Sequence, residues 1–197
     1  MAQLRIILDV VLPLRTYTIE EVLALVAWVQ KRNHRAYLSP GQPGRVVGVT
    51  TTLPDSTTFH LVGIHAAIIK NYTCPPLERV FCELDLALAG TRGIIGGDLN
   101  TARIAESQWP NCGHREFWKR IDRGRFVDCY RRHHCAERQT YFRSGAQPHH
   151  LKIQDDHLFV TSLLGTGERI RACEVVDNPE VRKLSDHIPV IAELDLG

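Results

Sequence analysis

The 197-residue sequence has no apolar run long enough to cross a membrane. Its most apolar early stretch, from Ile6 to Leu14, is broken by Asp9 and Pro13 and falls well short of the roughly 18 to 20 residues a bilayer demands. A secretion signal is lacking as well, because only Arg5 precedes that stretch and no small-residue cleavage site follows it. The six cysteines (Cys74, Cys82, Cys112, Cys129, Cys135 and Cys173) include no Cys-x-x-Cys pair. That pattern gives no disulfide framework, and reduced thiols in a cytoplasmic protein are expected. Cys112, His114, Cys129, His133, His134 and Cys135 supply zinc-type ligands, but their spacings match none of the usual paired-knuckle patterns. Internal repeats, low-complexity segments and linkers are also missing. Charge of one sign is scarce: the formal net charge is +2, too small by itself to announce a nucleic-acid or acidic-membrane partner.

What the sequence does have is the composition of one soluble globular domain, 44% hydrophobic and 23% charged, with 14 glycines and 10 prolines. A chain of this length buries enough surface to fold without a structural metal. The charge is uneven. Between Arg115 and Arg143 nine basic residues face four acidic ones, a local excess that suits either a solvated helix face or a phosphate-bearing partner.

Thr18-Ile19-Glu20-Glu21 has the form of a capping box, and Val22, Leu23, Leu25, Val26 and Val29 recur on one side of the helix that should follow. That helix runs out in the polar segment Lys31-Arg32-Asn33-His34-Arg35, and residues 39–44 read as a loop. Residues 46–53 and 59–65 are rich in β-branched and apolar residues around a Pro54-Asp55-Ser56 turn, which predicts an antiparallel hairpin ending at His65. Pro75-Pro76 opens a helix through Leu77, Val80, Phe81, Leu84 and Leu88, stopped by Gly90. A short strand over 93–97 delivers Asp98-Leu99-Asn100 to its carboxyl end. A third helix is expected over 115–122, with Phe117, Trp118 and Ile121 inward and Gly124 as its stop. Trp109 and Trp118 read as packing residues. Strands follow around 140–142, 156–160, 172–176 and 189–194. Strands with a few helices outside imply an α/β sandwich of two packed mixed sheets.

Three motifs place acids, an amide and histidines at strand ends: Gly97-Asp98-Leu99-Asn100, Asp155-Asp156-His157-Leu158-Phe159-Val160, and Ser185-Asp186-His187-Ile188-Pro189-Val190. Side chains there project into a shared cleft from a rigid support. Asp98, Asp156 and Asp186 supply the hard oxygen donors that Mg²⁺ takes, one or two carboxylates at a time beside water and substrate phosphate. Asp155 reads as a solvent-facing neighbour of Asp156. His149 and His150 fall in a loop.

In this order the motifs resemble the endonuclease/exonuclease/phosphatase superfamily, over about 46–196, and a histidine at the end of the strand Val62-Gly63-Ile64-His65 adds to the likeness. The resemblance implies a four-layer α/β sandwich (DNase I-like) and attack of water on a phosphate ester, dependent on Mg²⁺ or Mn²⁺. By that resemblance Asp98 orients or deprotonates the water and Asn100 hydrogen-bonds a phosphate oxygen. His187 lies against the scissile phosphate with Asp156 on its other ring nitrogen, Asp186 (with Asp98) holds the metal, and His65 protonates the leaving oxygen. Arg138 and Arg143, flanking Thr140-Tyr141-Phe142, are candidate substrate contacts, and the basic excess tilts the substrate toward nucleic acid.

Family members also begin with a strand ending in Asn and a second ending in Gln-Glu, whose glutamate is a metal ligand. That pair is not found here: Leu4 to Asp9 imitates the first only with Asp9 in place of Asn, and Val29-Gln30-Lys31 imitates the second only with Lys31, which opposes a metal, in place of Glu and within the expected helix. Alternatively the chain starts inside the usual domain and is N-terminally incomplete. The rival to an active phosphoesterase is therefore an impaired or truncated remnant that acts as a binding domain.

Overall fold

The computed structural model describes residues 3–7, 35–38, 46–52, 56–66, 74–107, 109–142 and 153–195. The expected helix after Thr18, the loop at 39–44, Arg143, His149 and His150 lie outside the described residues.

The described strands are β1 (Gln3–Ile7), β2 (Arg35–Leu38), β3 (Val46–Thr52), β4 (Thr58–His65), β5 (Gly93–Asp98), β6 (Phe126–Asp128), β7 (Asp156–Thr161), β8 (Ile170–Val175) and β9 (Val190–Asp195). The helices are α1 (Pro75–Ala87), α2 (His114–Arg123), α3 (Cys129–His133), α4 (Ser162–Gly165) and α5 (Pro179–Leu184), with a 3-10 turn at Ala105–Ser107. Two sheets form: one in the order β1-β9-β8, the other β2-β3-β4-β5-β7-β6. The larger sheet is mixed, since β4 and β5 run parallel while its other pairs are antiparallel. The predicted hairpin is β3–β4, registered Val46 to Ile64 through Thr52 to Thr58.

Period-two alternation explains the layers. Phe59, Ile94, Leu158 and Val160 point from the larger sheet toward Ile170, Cys173, Val175, Val190, Ala192 and Leu194 of the smaller one. Val62, Ile64, Ile95 and Phe159 point the other way, onto Leu77, Val80, Phe81 and Leu84 of α1 and Phe117, Trp118 and Ile121 of α2. Both faces of the larger sheet are covered, so all six residues of β5 and of β7 are buried. Phe81 sits edge-on to Phe117, Phe126 and Phe159, with centroids 5.2, 5.6 and 5.6 Å away.

Two expectations need correction. Arg35, expected in the polar segment after a helix, opens β2, which pairs antiparallel with β3. β1, within the Leu4 to Asp9 stretch, lies beside β9, and β2 precedes Val46 at Arg35–Leu38, while Asp9 and Val29-Gln30-Lys31 lie outside the described residues. Thr140-Tyr141-Phe142 is no strand but a single bridge, Tyr141 to His187. Its backbone is spent on three separate partners, with Thr140 N–H donating to the Ile153 carbonyl, Ile188 N–H to the Thr140 carbonyl and Phe142 N–H to the Asp186 carbonyl.

Candidate active site

The carboxyl ends of β4 and β5 and the start of β7 meet at one edge of the larger sheet, with His65 registered against Asp98 and Asp98 against Asp156. Gly97 makes that meeting possible. Its φ is +139°, and a Cβ there would run into the carbonyl of Ile64. Beyond the strand, Ala66 N–H donates to the Asp98 carbonyl and Leu99 N–H to the Asp155 carbonyl, both at 2.8 Å. The chain then turns through Asn100 at φ +49°, a conformation asparagine tolerates.

Asn100 clamps Asp98. Its backbone N–H donates to Oδ1 (2.9 Å) and its side-chain amide to Oδ2 (3.1 Å) and to the Ala66 carbonyl (3.0 Å). Half-exposed His65 brings Nε2 to 3.7 Å from Asp98 Oδ2. On the neighbouring strand, His187 Nδ1 lies 2.8 Å from Asp156 Oδ2. The Ser185 hydroxyl accepts from His187 N–H, and the Tyr141 ring packs 4.9 Å from the imidazole.

The electrostatics follow from burial and crowding. Burial opposes a charged His187, but the hydrogen bond to Asp156 and the charges of Asp156, Asp98 and Asp186 outweigh it and raise its pKa to about 9. Burial, reinforced by the charge of Asp156, pushes Asp98 up to about 7 against the opposing pull of His187 and Asn100. Asp155 is raised to about 8 by burial and then by the charges of Asp98 and Asp156. The site thus pairs an imidazolium with a carboxylate that titrates near neutrality, the arrangement that proton transfer uses.

The sequence-based candidates His65, Asp98, Asn100, Asp156 and His187 are brought together, and the Asp186 charge acts on His187. Arg138 Nη2 lies 3.7 Å from Asp177, a carboxylate that Arg182 also grips. Asp155 departs from expectation. It is 6% exposed rather than solvent-facing, because the Asp155 and Asp156 amides both donate to the Thr140 hydroxyl at 3.0 Å and hold the segment inside. Thr140, fully buried, is the residue that sequence reasoning missed, and its only signal is its place beside Tyr141. His157 is structural: Nε2 donates to the Gln154 and Thr101 carbonyls. Trp118 is a core residue as expected, and Trp109 packs against Ala102, Ala105 and Ile153.

The zinc-type residues do not assemble. His133 and His134 bond the Ile170 and Cys173 carbonyls, and Cys129 is buried. Among the described residues no group of three or more His, Cys, Asp or Glu side chains converges on a metal position. Mg²⁺ does not require such a group, since it takes one or two carboxylates and fills its shell with water and phosphate. Asp155 Oδ1 and Asp156 Oδ1 are buried without a hydrogen-bond partner. Hard carboxylate oxygens are the donors that Mg²⁺ takes.

No protein-family model matches the sequence, and no curated protein does either. Solved structures do match, and they define the class: the chain has the DNase I-like fold of the endonuclease/exonuclease/phosphatase structures. The endonuclease domain of TRAS1, a telomere-specific non-LTR retrotransposon, superposes with a TM-score of 0.58 at 16% identity, over 83% of this chain and 70% of that one. TDP2 of D. rerio, solved with a single-strand DNA product, gives 0.55 at 12% identity, over 82% and 66%. An endonuclease/exonuclease/phosphatase family protein of Bacteroides thetaiotaomicron gives 0.51 at 17% identity, over 77% of this chain and 56% of its own. The chain therefore spans 56% to 70% of the length of these structures.

Proposed function

We propose that the chain hydrolyses a phosphate ester, with nucleic acid as the substrate class and Mg²⁺ or Mn²⁺ as the cation. The observation that carries this is the 2.8 Å contact between His187 and Asp156 at the edge where Asp98, Asn100 and His65 also end. In this reading Asp186 and Asp98 hold the cation, which would offset charge on the phosphate oxygens when bound. Asp156 fixes the imidazole so that Nε2–H of His187 points at a non-bridging oxygen and stabilises charge as the phosphorus becomes five-coordinate. Asp98 orients or deprotonates the attacking water, as the resemblance implies. The ester P–O bond breaks, and the leaving oxygen takes a proton from His65. Asn100 holds Asp98 in place through its backbone and side-chain amides, and by the resemblance would hydrogen-bond a phosphate oxygen.

Nucleic acid is favoured by the basic excess between Arg115 and Arg143 and by two structural neighbours, one an endonuclease domain and one holding a DNA product. Nicking of supercoiled plasmid with Mg²⁺ or Mn²⁺ tests the reading, together with binding to DNA over a salt series. Cleavage that depends on the cation, with binding that weakens steeply with salt, is expected. One observation supports the second reading, a binding domain derived from this fold: the sequence has no Asp or Glu between Glu21 and Asp55, where the resemblance calls for a metal-binding glutamate. DNA bound but left intact under every cation would select it.

A further inference from the structure

At the edge of the larger sheet opposite the candidate active site, a cavity of about 420 Å³ opens between the start of β4, the turn after α1 and the start of α4. Its described lining includes Ser56, Thr58, His60, Thr91, Arg92 and Leu163, and carries no acidic residue. Arg92 is the unusual member. It is partly buried, its Nε has no hydrogen-bond partner, and among the described residues no carboxylate pairs with it. A buried N–H donor without an acceptor is costly, and the Nε of Arg92 is such a donor beside an open cavity where a ligand can supply the acceptor.

The backbone that carries Arg92 is braced. The Arg92 carbonyl accepts from His60 N–H at 2.8 Å, and Gly93, registered against His60, donates its N–H to the Thr161 hydroxyl at 3.0 Å. That hydroxyl in turn donates to the Thr91 carbonyl at 2.7 Å, while the Thr91 hydroxyl donates to the Leu88 carbonyl. The segment 91–93 is thereby fixed between two strands, so the guanidinium is presented from a rigid base. His60 Nδ1 is engaged by the Thr50 hydroxyl at 3.0 Å, which fixes that ring as well. Preorganised donors of this kind bind anions without first paying an ordering cost.

We propose that this cavity is a binding site for a small organic phosphate, the Arg92 fork taking the phosphate oxygens and the Ser56 and Thr58 hydroxyls adding hydrogen bonds. The volume lies within the range of small-molecule sites and exceeds what inorganic phosphate fills. Leu163, 46% exposed at the rim, gives an apolar surface to the non-ionic part of the ligand. A mononucleotide has both parts. The site is separate from the hydrolytic edge: Arg92 precedes β5 and Asp98 ends it, and six residues of strand at about 3.3 Å each put the two roughly 20 Å apart. One phosphate cannot serve both.

The test is titration of the intact chain with adenosine monophosphate and with inorganic phosphate, followed by calorimetry and by thermal unfolding, in the absence of divalent cations. The same titrations are run on Arg92→Met and on His187→Ala. The mononucleotide is expected to bind and to raise the melting temperature of the unaltered chain and of His187→Ala alike, while Arg92→Met binds at least tenfold more weakly and gains no stability from it. Retained affinity in Arg92→Met would overturn the proposal, as would loss of binding in His187→Ala, which would locate the ligand at the hydrolytic edge. Absence of mononucleotide binding at millimolar concentration, or binding of inorganic phosphate alone as an adventitious ion only, would overturn it too.

Discussion

Replacing Asp155 by asparagine should stabilise the chain near neutral pH and leave it no more stable in acid. The carboxyl group is 6% exposed, its Oδ1 has no partner, and burial with the charges of Asp98 and Asp156 raises its pKa from 3.8 to about 8. Between those values the folded chain binds the proton that the unfolded chain has released, so stability falls as pH rises through that window. At pH 7 the difference amounts to about three pKa units, and at 1.36 kcal/mol each this is about 4 kcal/mol. An asparagine amide recovers that amount less the 1–3 kcal/mol cost of an incompletely bonded buried amide, leaving about 2 kcal/mol. Near pH 4.5 only about 1 kcal/mol remains to recover, which the cost of the buried amide cancels, so the variant should be equal to the unaltered chain or weaker. Urea unfolding followed by circular dichroism in chelator, at pH 4.5 and 7.5, measures both differences. Parallel stabilities at the two pH values would refute the reasoning, because they would mean that Asp155 carries no proton the unfolded chain lacks.

Other expectations are packing and geometry statements. Gly97→Ala should cost about 3 kcal/mol or more, since it combines a positive φ with a clash against the Ile64 carbonyl, and a midpoint shift under 1 kcal/mol in urea would contradict this. Phe81→Ala should cost about 3–5 kcal/mol by removing the ring shared by Phe117, Phe126 and Phe159, read from the same unfolding curves. Thr161→Val should cost about 1–3 kcal/mol while barely changing volume, because the Gly93 N–H and Thr91 carbonyl lose their shared partner. Faster hydrogen exchange at Gly93 would accompany it.

Much of this arrangement was legible in the sequence where one rule dominated. Pro75-Pro76 and Gly90 bracket α1, and the helical spacing of Phe117, Trp118 and Ile121 names the buried face of α2. The acids and histidines of the three motifs converge because each ends or begins a strand of one sheet or lies beside it. Burial of Asp155 was not legible. Alternation assigns it the face opposite Asp156, and in a sheet covered on both sides neither face is solvent. The four residues of β2 carry no alternation of their own, and the strand exists through its partner β3, ten residues on. Thr140 takes its importance from two amides fifteen and sixteen positions away, which local spacing does not reveal. Arg138 pairs with Asp177, 39 positions further on, a partner that local spacing does not reveal either.

The most direct test of the account is the rate at which the purified chain hydrolyses a generic phosphodiester with Mg²⁺ or Mn²⁺, beside His187→Ala shown by circular dichroism to be folded. The account expects cation-dependent turnover that falls about 10²- to 10⁴-fold in the variant. Equal rates in the two proteins, or no turnover from the folded unaltered chain with either cation, would contradict it.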